Sequence, residues 1–150
     1  MKNRYIILWS FIIILFSSAI SIEKEAKTVN DNFAFLKDIY SNSWAVIIGI
    51  NNYQNVKHLQ YAEKDARDVR DLLVGNYGFK KSNVLMILNE DATKDNILKG
   101  FSEILKKAEK KDRVVVYYAG HGDTYDLPNG GEMGFLVPVD GDKTDLYLSS

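Results

Sequence analysis

The sequence contains no cysteine at any of its 150 positions. This absence excludes disulfide bridges, thiolate zinc sites and a cysteine nucleophile from these residues. Basic residues are not in excess either, because 19 Lys and Arg stand against 20 Asp and Glu and the formal net charge is -1. A nucleic-acid-binding surface needs a basic patch, so we expect no nucleic acid partner.

The sequence also has no apolar run of the roughly 20 residues that a membrane-spanning helix needs. The run 5–16 is apolar except at one serine, follows Lys2 and Arg4, and leads into small residues that end at Ala19. This order is typical of a secretory signal peptide. We therefore expect residues 1–21 to be a signal peptide or an uncleaved N-terminal anchor. The protein would then be exported (secreted or periplasmic) or membrane-anchored, touching a membrane only through this segment.

The remaining chain divides into a spacer and one domain. Residues 22–43 open with a mixture of Glu and Lys that is typical of a solvated linker. Residues 44–150 are numerous enough to form a domain with its own hydrophobic core.

Three short apolar runs alternate with two amphipathic segments in this domain. The runs 44–50 and 84–88 are apolar on both faces, and so is 112–119 after its charged entry at the first two residues, as strands buried inside a parallel sheet are. Between them, the segment 62–76 and a second one that follows Thr93 carry apolar residues at three- and four-residue spacing, which predicts helices. The order predicts an α/β fold, a doubly wound and mainly parallel sheet with helices on both faces.

The residues after the third run predict less regular structure. We expect 124–132 to be a turn-rich loop because it contains one proline and two consecutive glycines. The segment 135–139 is expected to be extended, at an edge or in a hairpin, because Pro138 has no N–H to donate within a central strand.

His121 directly follows the third predicted strand and stands between Gly120 and Gly122. Ligands of open parallel sheets bind at the carboxyl ends of the strands, and histidine is the side chain best suited to general-base chemistry near neutral pH. The N–H of Gly122 has no side chain beside it and is suited to donate to an oxyanion. The alternative is a histidine that ends a strand and bonds to a neighbouring carbonyl.

Asp65 falls in the first turn of the first predicted helix, where the helix dipole favours an acidic residue. On the residues alone, this placement is its simplest interpretation. No second histidine stands near His121, and no ligand set with a recognised spacing accompanies it, so we expect no metal and no cofactor.

Four stretches of the sequence resemble the caspase-like cysteine peptidases, a family that includes caspases, metacaspases and bacterial relatives. They occur in the family's order, at 44–53, 59–69, 117–123 and 134–140. The resemblance covers the chain from about residue 44 to its end. It implies a caspase-like fold and a cysteine-type endopeptidase that acts on proteins or peptides without a cofactor.

The resemblance also implies roles for three residues. His121 would be the base of a Cys–His dyad, and the N–H of Gly122 would form part of the oxyanion hole. In metacaspase-like members an aspartate at the position of Asp65 helps line an acidic pocket for Arg or Lys at the cleavage site. This chain departs from the metacaspase pattern at three positions, where it has Ala62 for Cys, Lys64 for Asn and Ala119 for Ser.

The nucleophile that the resemblance requires is not among these residues. In the caspase signature the cysteine follows the histidine by about 50 residues, which would place it near residue ~170. We therefore expect residues 44–150 to be the N-terminal part of a catalytic domain, inactive by itself. Two alternatives remain: a catalytically inactive caspase-like interaction module, or an unrelated doubly wound binding domain in which His121 only orders a loop.

Overall fold

The computed structural model describes residues 39–142. The expected signal peptide or anchor at 1–21 and nearly all of the spacer lie outside the described residues. Within the described part, no helix is both long enough and apolar enough to cross a membrane.

The longer elements alternate between strand and helix before they end in a hairpin. They are β1 (Ser43–Gly49), α1 (Ala62–Asn76), β2 (Val84–Leu88), α2 (Lys94–Lys107), β3 (Arg113–Ala119), β4 (Gly122–Asp126) and β5 (Glu132–Leu136). The first three strands form a parallel sheet in the order β2-β1-β3, with Ile47 opposite both Met86 and Tyr117. The three apolar runs of the sequence are therefore the three strands of this sheet, within one residue at each end.

The two helices cover opposite faces of the sheet. Ala45 and Ile47 of β1 pack on the side of α1, in a cluster that includes Ala66. Val46 of β1 points the other way and packs in a cluster with Ile104 of α2. β1 is buried on both faces because it lies in the middle of the sheet, and the expected doubly wound α/β fold is confirmed.

The end of α1 and the start of α2 both coincide with the residues that signal them in the sequence. After α1, Gly78 adopts a left-handed conformation with φ +72°, and the N–H of Phe79 returns to the carbonyl of Leu73 at 3.1 Å. This is the common glycine stop of a helix. At the start of α2, the Thr93 hydroxyl accepts from the N–H of Asn96 at 3.2 Å, which satisfies one of the free donors of the first turn.

The expected loop at 124–132 is only partly correct, because residues 124–126 and 132 lie in the two strands of an antiparallel hairpin and 127–131 form the turn between them. β4 pairs with β5, with Thr124 opposite Gly134. The connection between them turns through Gly130 and Gly131, whose φ angles of +88° and +92° favour glycine. The segment expected to be extended at 135–139 overlaps β5 only at residues 135 and 136, because β5 begins earlier and ends at Leu136. Pro138 therefore lies after the hairpin and not within a strand.

Candidate active site

The loops that follow β1, β2 and β3 meet at one side of the sheet, which we call the carboxyl edge. Three polar residues begin these loops: Asn51, Asn89 and His121. Parallel strands end at the same edge, so residues that are distant in sequence become neighbours there. The N-terminus of α1, with Asp65 in its first turn, lies at this edge as well, because α1 follows the β1 loop.

The imidazole of His121 is half-buried, and its ring is oriented by a backbone carbonyl. Its Nε2 lies 2.7 Å from the carbonyl oxygen of Lys57, in the loop after β1. A carbonyl oxygen can only accept a hydrogen bond, so Nε2 carries the proton in this contact. In the neutral ring the unprotonated nitrogen is then Nδ1, which is the atom left to act as a base.

The backbone of His121 is held on both sides. Its N–H donates to the hydroxyl of Tyr53 at 2.7 Å, and its carbonyl accepts from the N–H of Val137 at 2.9 Å. The ring of Tyr53 also lies against the imidazole, with 4.8 Å between the ring centroids. The histidine is thus fixed by the loop after β1 and by the chain that leaves the hairpin.

Gly122 presents a free backbone donor next to this histidine. It pairs with Leu136 in the hairpin, and the neighbouring bond joins the carbonyl of His121 to the N–H of Val137. In an antiparallel ladder this makes Gly122 and Leu136 a non-hydrogen-bonded pair, so the N–H of Gly122 points away from β5. Gly122 is exposed, and this N–H can reach a ligand at the carboxyl edge.

Asn89 holds the loop after β1 in place from the end of β2. Its side-chain oxygen accepts from the N–H groups of Asn51 and Asn52 at 2.9 and 3.3 Å, and its amide donates to Glu63 at 2.6 Å. Asn89 is buried and adopts a φ of +44°, a conformation that asparagine tolerates better than most residues. It therefore fixes the loop that carries Tyr53 and the Lys57 carbonyl.

Asp65 is exposed in the first turn of α1. Its charge acts on Tyr117 near the end of β3: burial raises the pKa of the Tyr117 hydroxyl, and the charges of Asp65 and Asp68 raise this pKa further. Among the described residues it shares no hydrogen bond or ion pair with His121. The structure thus places Asp65 beside the end of β3 but does not join it to the histidine.

Sequence reasoning missed Tyr53, Tyr118, the carbonyl of Lys57 and Asn89. Tyr118 carried a usable signal, because a hydroxyl within a buried apolar strand needs a partner. The Lys57 carbonyl carried none, since every residue has one. Within residues 39–142 no three His, Asp or Glu side chains come together as a metal site.

The chain is similar to proteins of one peptidase family. Residues 42–148 match the family model described as the caspase domain, Peptidase C14. Metacaspase-1A of Neurospora crassa is 32% identical over 110 residues, which are 69% of this chain and 22% of that protein. Metacaspase-4 of Arabidopsis thaliana is 31% identical over 106 residues, which are 64% of this chain and 25% of that protein. The chain spans about a quarter of the length of these curated relatives.

A solved structure shares the fold. Protein GSU0716 of Geobacter sulfurreducens superimposes with a TM-score of 0.58 over 71% of this chain and 44% of that chain, at 21% sequence identity. At this identity the similarity extends to the architecture alone.

Proposed function

Because the chain belongs to the caspase-domain family, we propose that it forms the histidine-bearing part of a cysteine endopeptidase that cleaves peptide bonds in proteins. The observation that carries the proposal is the contact between Nε2 of His121 and the carbonyl of Lys57. It leaves Nδ1 free as a base at the carboxyl edge, beside the N–H of Gly122. The nucleophile is proposed to be a cysteine beyond residue 150.

The proposed reaction is acyl transfer in two steps. Nδ1 of His121 takes the thiol proton, and the thiolate adds to the scissile carbonyl carbon while the N–H of Gly122 donates to the oxyanion. The C–N bond then breaks, the amine leaves with the proton from His121, and a thioester remains. Water next gives a proton to Nδ1 and adds to the thioester, which releases the carboxylic acid and returns the thiol.

Cleavage of fluorogenic peptide amides by a form of the protein that extends past residue 150 tests the proposal. We expect His121→Ala to abolish turnover while the far-UV circular dichroism stays unchanged. The matched control is His58→Ala, because His58 is exposed in the same region and no role is proposed for it. Turnover that survives in His121→Ala, or His121-dependent cleavage by residues 1–150 alone, would refute the dyad.

We propose that Asp65 gives the peptidase a preference for substrates with Arg or Lys at the cleavage site. Its support is an exposed carboxylate at the carboxyl edge, within electrostatic reach of Tyr117. Asp65→Ala should lower the ratio of cleavage after Arg to cleavage after Leu in otherwise identical peptide amides. The control is Asp71→Ala, an exposed acid in the third turn of α1. An unchanged ratio would remove Asp65 from substrate recognition.

A caspase-like interaction module without catalysis is the second candidate, favoured by the lack of cysteine in all 150 residues. Reading the coding sequence past residue 150 separates the two. A cysteine after a further apolar strand supports the peptidase, and a frame that continues without one supports the module.

Export through residues 1–21 is likewise a proposal that rests on the sequence alone. The intact mass of the protein recovered from its native compartment should correspond to a chain that begins after Ala19, whereas a retained anchor would leave the full N-terminus.

A further inference from the structure

Two tyrosine hydroxyls lie beneath the turn that carries His121 and form a chain of hydrogen bonds. The N–H of His121 donates to the hydroxyl of Tyr53 at 2.7 Å, and that hydroxyl lies 3.1 Å from the hydroxyl of Tyr118. The Tyr118 hydroxyl reaches the carbonyl of Val137 at 2.5 Å and the carbonyl of His121 at 3.1 Å.

Counting the donated protons gives this series of hydrogen bonds one direction. Each hydroxyl has one proton to donate. With the N–H of His121 donating to Tyr53, Tyr53 can donate to Tyr118, and Tyr118 donates to the carbonyl of Val137. Every donor is then used once, and each link depends on the next one being in place.

The series of hydrogen bonds joins four separate parts of the fold. Tyr53 belongs to the loop after β1 and is almost fully buried, at 2% exposure. Tyr118 is in β3, His121 is in the turn after it, and Val137 follows β5. The turn can approach the hydroxyls this closely only because residue 120 is glycine: a Cβ there would lie 2.4 Å from the Tyr53 oxygen and 2.6 Å from the Tyr118 oxygen.

The same contacts restrict the histidine ring. The Tyr53 ring packs against the imidazole, and the loop that carries Tyr53 also supplies the Lys57 carbonyl that accepts from Nε2. The proposed acyl-transfer steps use neither tyrosine. Their contacts are with the residue that would do the chemistry.

We propose that Tyr53 and Tyr118 are positioning residues, whose coupled hydroxyls hold His121 in the orientation that leaves Nδ1 free and the Gly122 N–H exposed. The inference rests on the proposed function for its catalytic consequence. Its structural content, that the Tyr118 hydroxyl helps to hold His121 both through Tyr53 and through the His121 carbonyl, can be measured without any cleavage.

Amide hydrogen exchange in the 150-residue chain tests the coupling. Tyr53→Phe removes the acceptor of the His121 N–H, so exchange of this amide should become roughly five- to tenfold faster, the loss of one hydrogen bond. Tyr118→Phe leaves the donor and the acceptor of that bond in place and removes only the hydroxyl that the acceptor contacts, yet it should accelerate the same amide. The double variant should exceed the larger single effect by less than about twofold, because coupled groups are not additive.

The matched control is Tyr61→Phe, since Tyr61 lies in the same loop and is 67% exposed. It should leave the His121 amide unchanged. The amides of Ile47 and Ile48 report global opening, because both residues are fully buried in β1. The proposal is overturned if Tyr118→Phe leaves the His121 amide at its wild-type rate, or if the core amides accelerate by the same factor.

Kinetics of the protein extended past residue 150 test the catalytic consequence with a fluorogenic peptide amide. Both single variants should lower kcat roughly tenfold or more while KM stays nearly constant, since misplacing a base affects the reaction and not the binding of substrate. If wild-type protein cleaves no peptide, the proposed function fails while the exchange result stands. If cleavage occurs and kcat is unchanged in both variants, the positioning role is overturned and the proposed function remains.

Discussion

Gly120 is the residue of the candidate site with the least room for a side chain. The turn lies directly on two hydrogen-bonded tyrosine hydroxyls, and a methyl group at residue 120 would overlap both. Gly122, two residues further on, has only an ordinary contact, because a Cβ there would lie 3.5 Å from the carbonyl of Phe135. The two glycines that flank His121 therefore serve different purposes.

We expect Gly120→Ala to destabilise the fold by roughly 1–3 kcal/mol, the usual cost of forcing an extra methyl group into a packed region. Gly122→Ala should change the unfolding free energy by less than about 0.5 kcal/mol. Urea unfolding of the two variants measures both values. Equal effects at the two positions would show that the hydroxyl pair does not limit residue 120.

Burial of Tyr118 predicts a loss of stability in alkaline solution. Burial is the main cause that raises the pKa of Tyr118 far above the ordinary value of 10.0, and burial also raises the pKa of Tyr53. The folded protein keeps these protons when the unfolded chain releases them, so this stability is complete below pH 10 and falls as the pH rises further.

The decline should reach about 1.4 kcal/mol per pH unit for each tyrosine that stays protonated only when folded. Chemical unfolding at pH 9 and at pH 11 measures it. Tyr118→Phe should reduce the pH dependence relative to wild type, whereas Tyr61→Phe should not, because Tyr61 is largely exposed. The same dependence in all three proteins would contradict the burial of Tyr118.

The elements of the sheet could be predicted from the sequence, and those of the hairpin could not. β1 and β2 are continuous apolar runs because both of their faces are covered. α2 shows a clear apolar stripe because one of its faces packs on the sheet while the other is exposed. β4 contains two aspartates and a threonine and lies at the surface, so no apolar pattern in its sequence marks it as a strand. Its pairing with β5 depends on the turn at Gly130 and Gly131. Two consecutive glycines are equally typical of a loop without strands, so the turn does not reveal the hairpin.

The site was predictable only where a side chain carries its own signal. His121 and Gly122 stand in a recognisable order after a buried strand. The partner of the His121 ring is a backbone carbonyl 64 residues away, so only the fold reveals it. The role of Tyr53 could not be predicted either, because it depends on how the loop after β1 lies across the end of β3.

Packing of α1 on β1 depends on a glycine within the strand. A Cβ at Gly49 would lie 2.6 Å from the Cβ of Ala66 and 2.7 Å from the carbonyl of Ala62. Neither atom can rotate away, because one is a backbone atom and the other is bonded directly to the backbone. The start of α1, and the β1 loop that precedes it, are thereby held close to the sheet.

Gly49→Ala should therefore destabilise the protein by roughly 1–3 kcal/mol. Gly75→Ala is the matched control within α1, where the new methyl group has nothing within 4 Å. It should stabilise the protein by about 0.5–1 kcal/mol, since alanine is the better helix former. Thermal unfolding that shifted both variants in the same direction would contradict the close contact between β1 and α1.

At the scale of the molecule, one side of the sheet is only partly covered. Val115 and Tyr117 of β3 pack under α1, so the alternating Val114 and Val116 point to the side of α2. They are 42% and 52% exposed, and within residues 39–142 β3 pairs with β1 alone. An apolar surface beside an open strand edge favours association.

We expect the 150-residue chain to self-associate at micromolar concentration, as measured by analytical ultracentrifugation. A Val114→Thr and Val116→Thr double variant should move the population toward monomer, because it removes apolar surface and keeps the strand propensity. Leu72→Thr removes an exposed leucine of α1 and should not have this effect. A wild-type chain that stays monomeric and unfolds cooperatively would show that this surface does not drive association.

Covalent labelling tests the proposed catalytic arrangement most directly. The protein extended past residue 150 is treated with a peptidyl acyloxymethyl ketone, and the adduct is located by mass spectrometry. The proposed mechanism predicts one adduct, on a single cysteine after residue 150, that forms in the His58→Ala variant and is lost in His121→Ala. An adduct that forms equally well without His121, or no adduct on any cysteine, would contradict it.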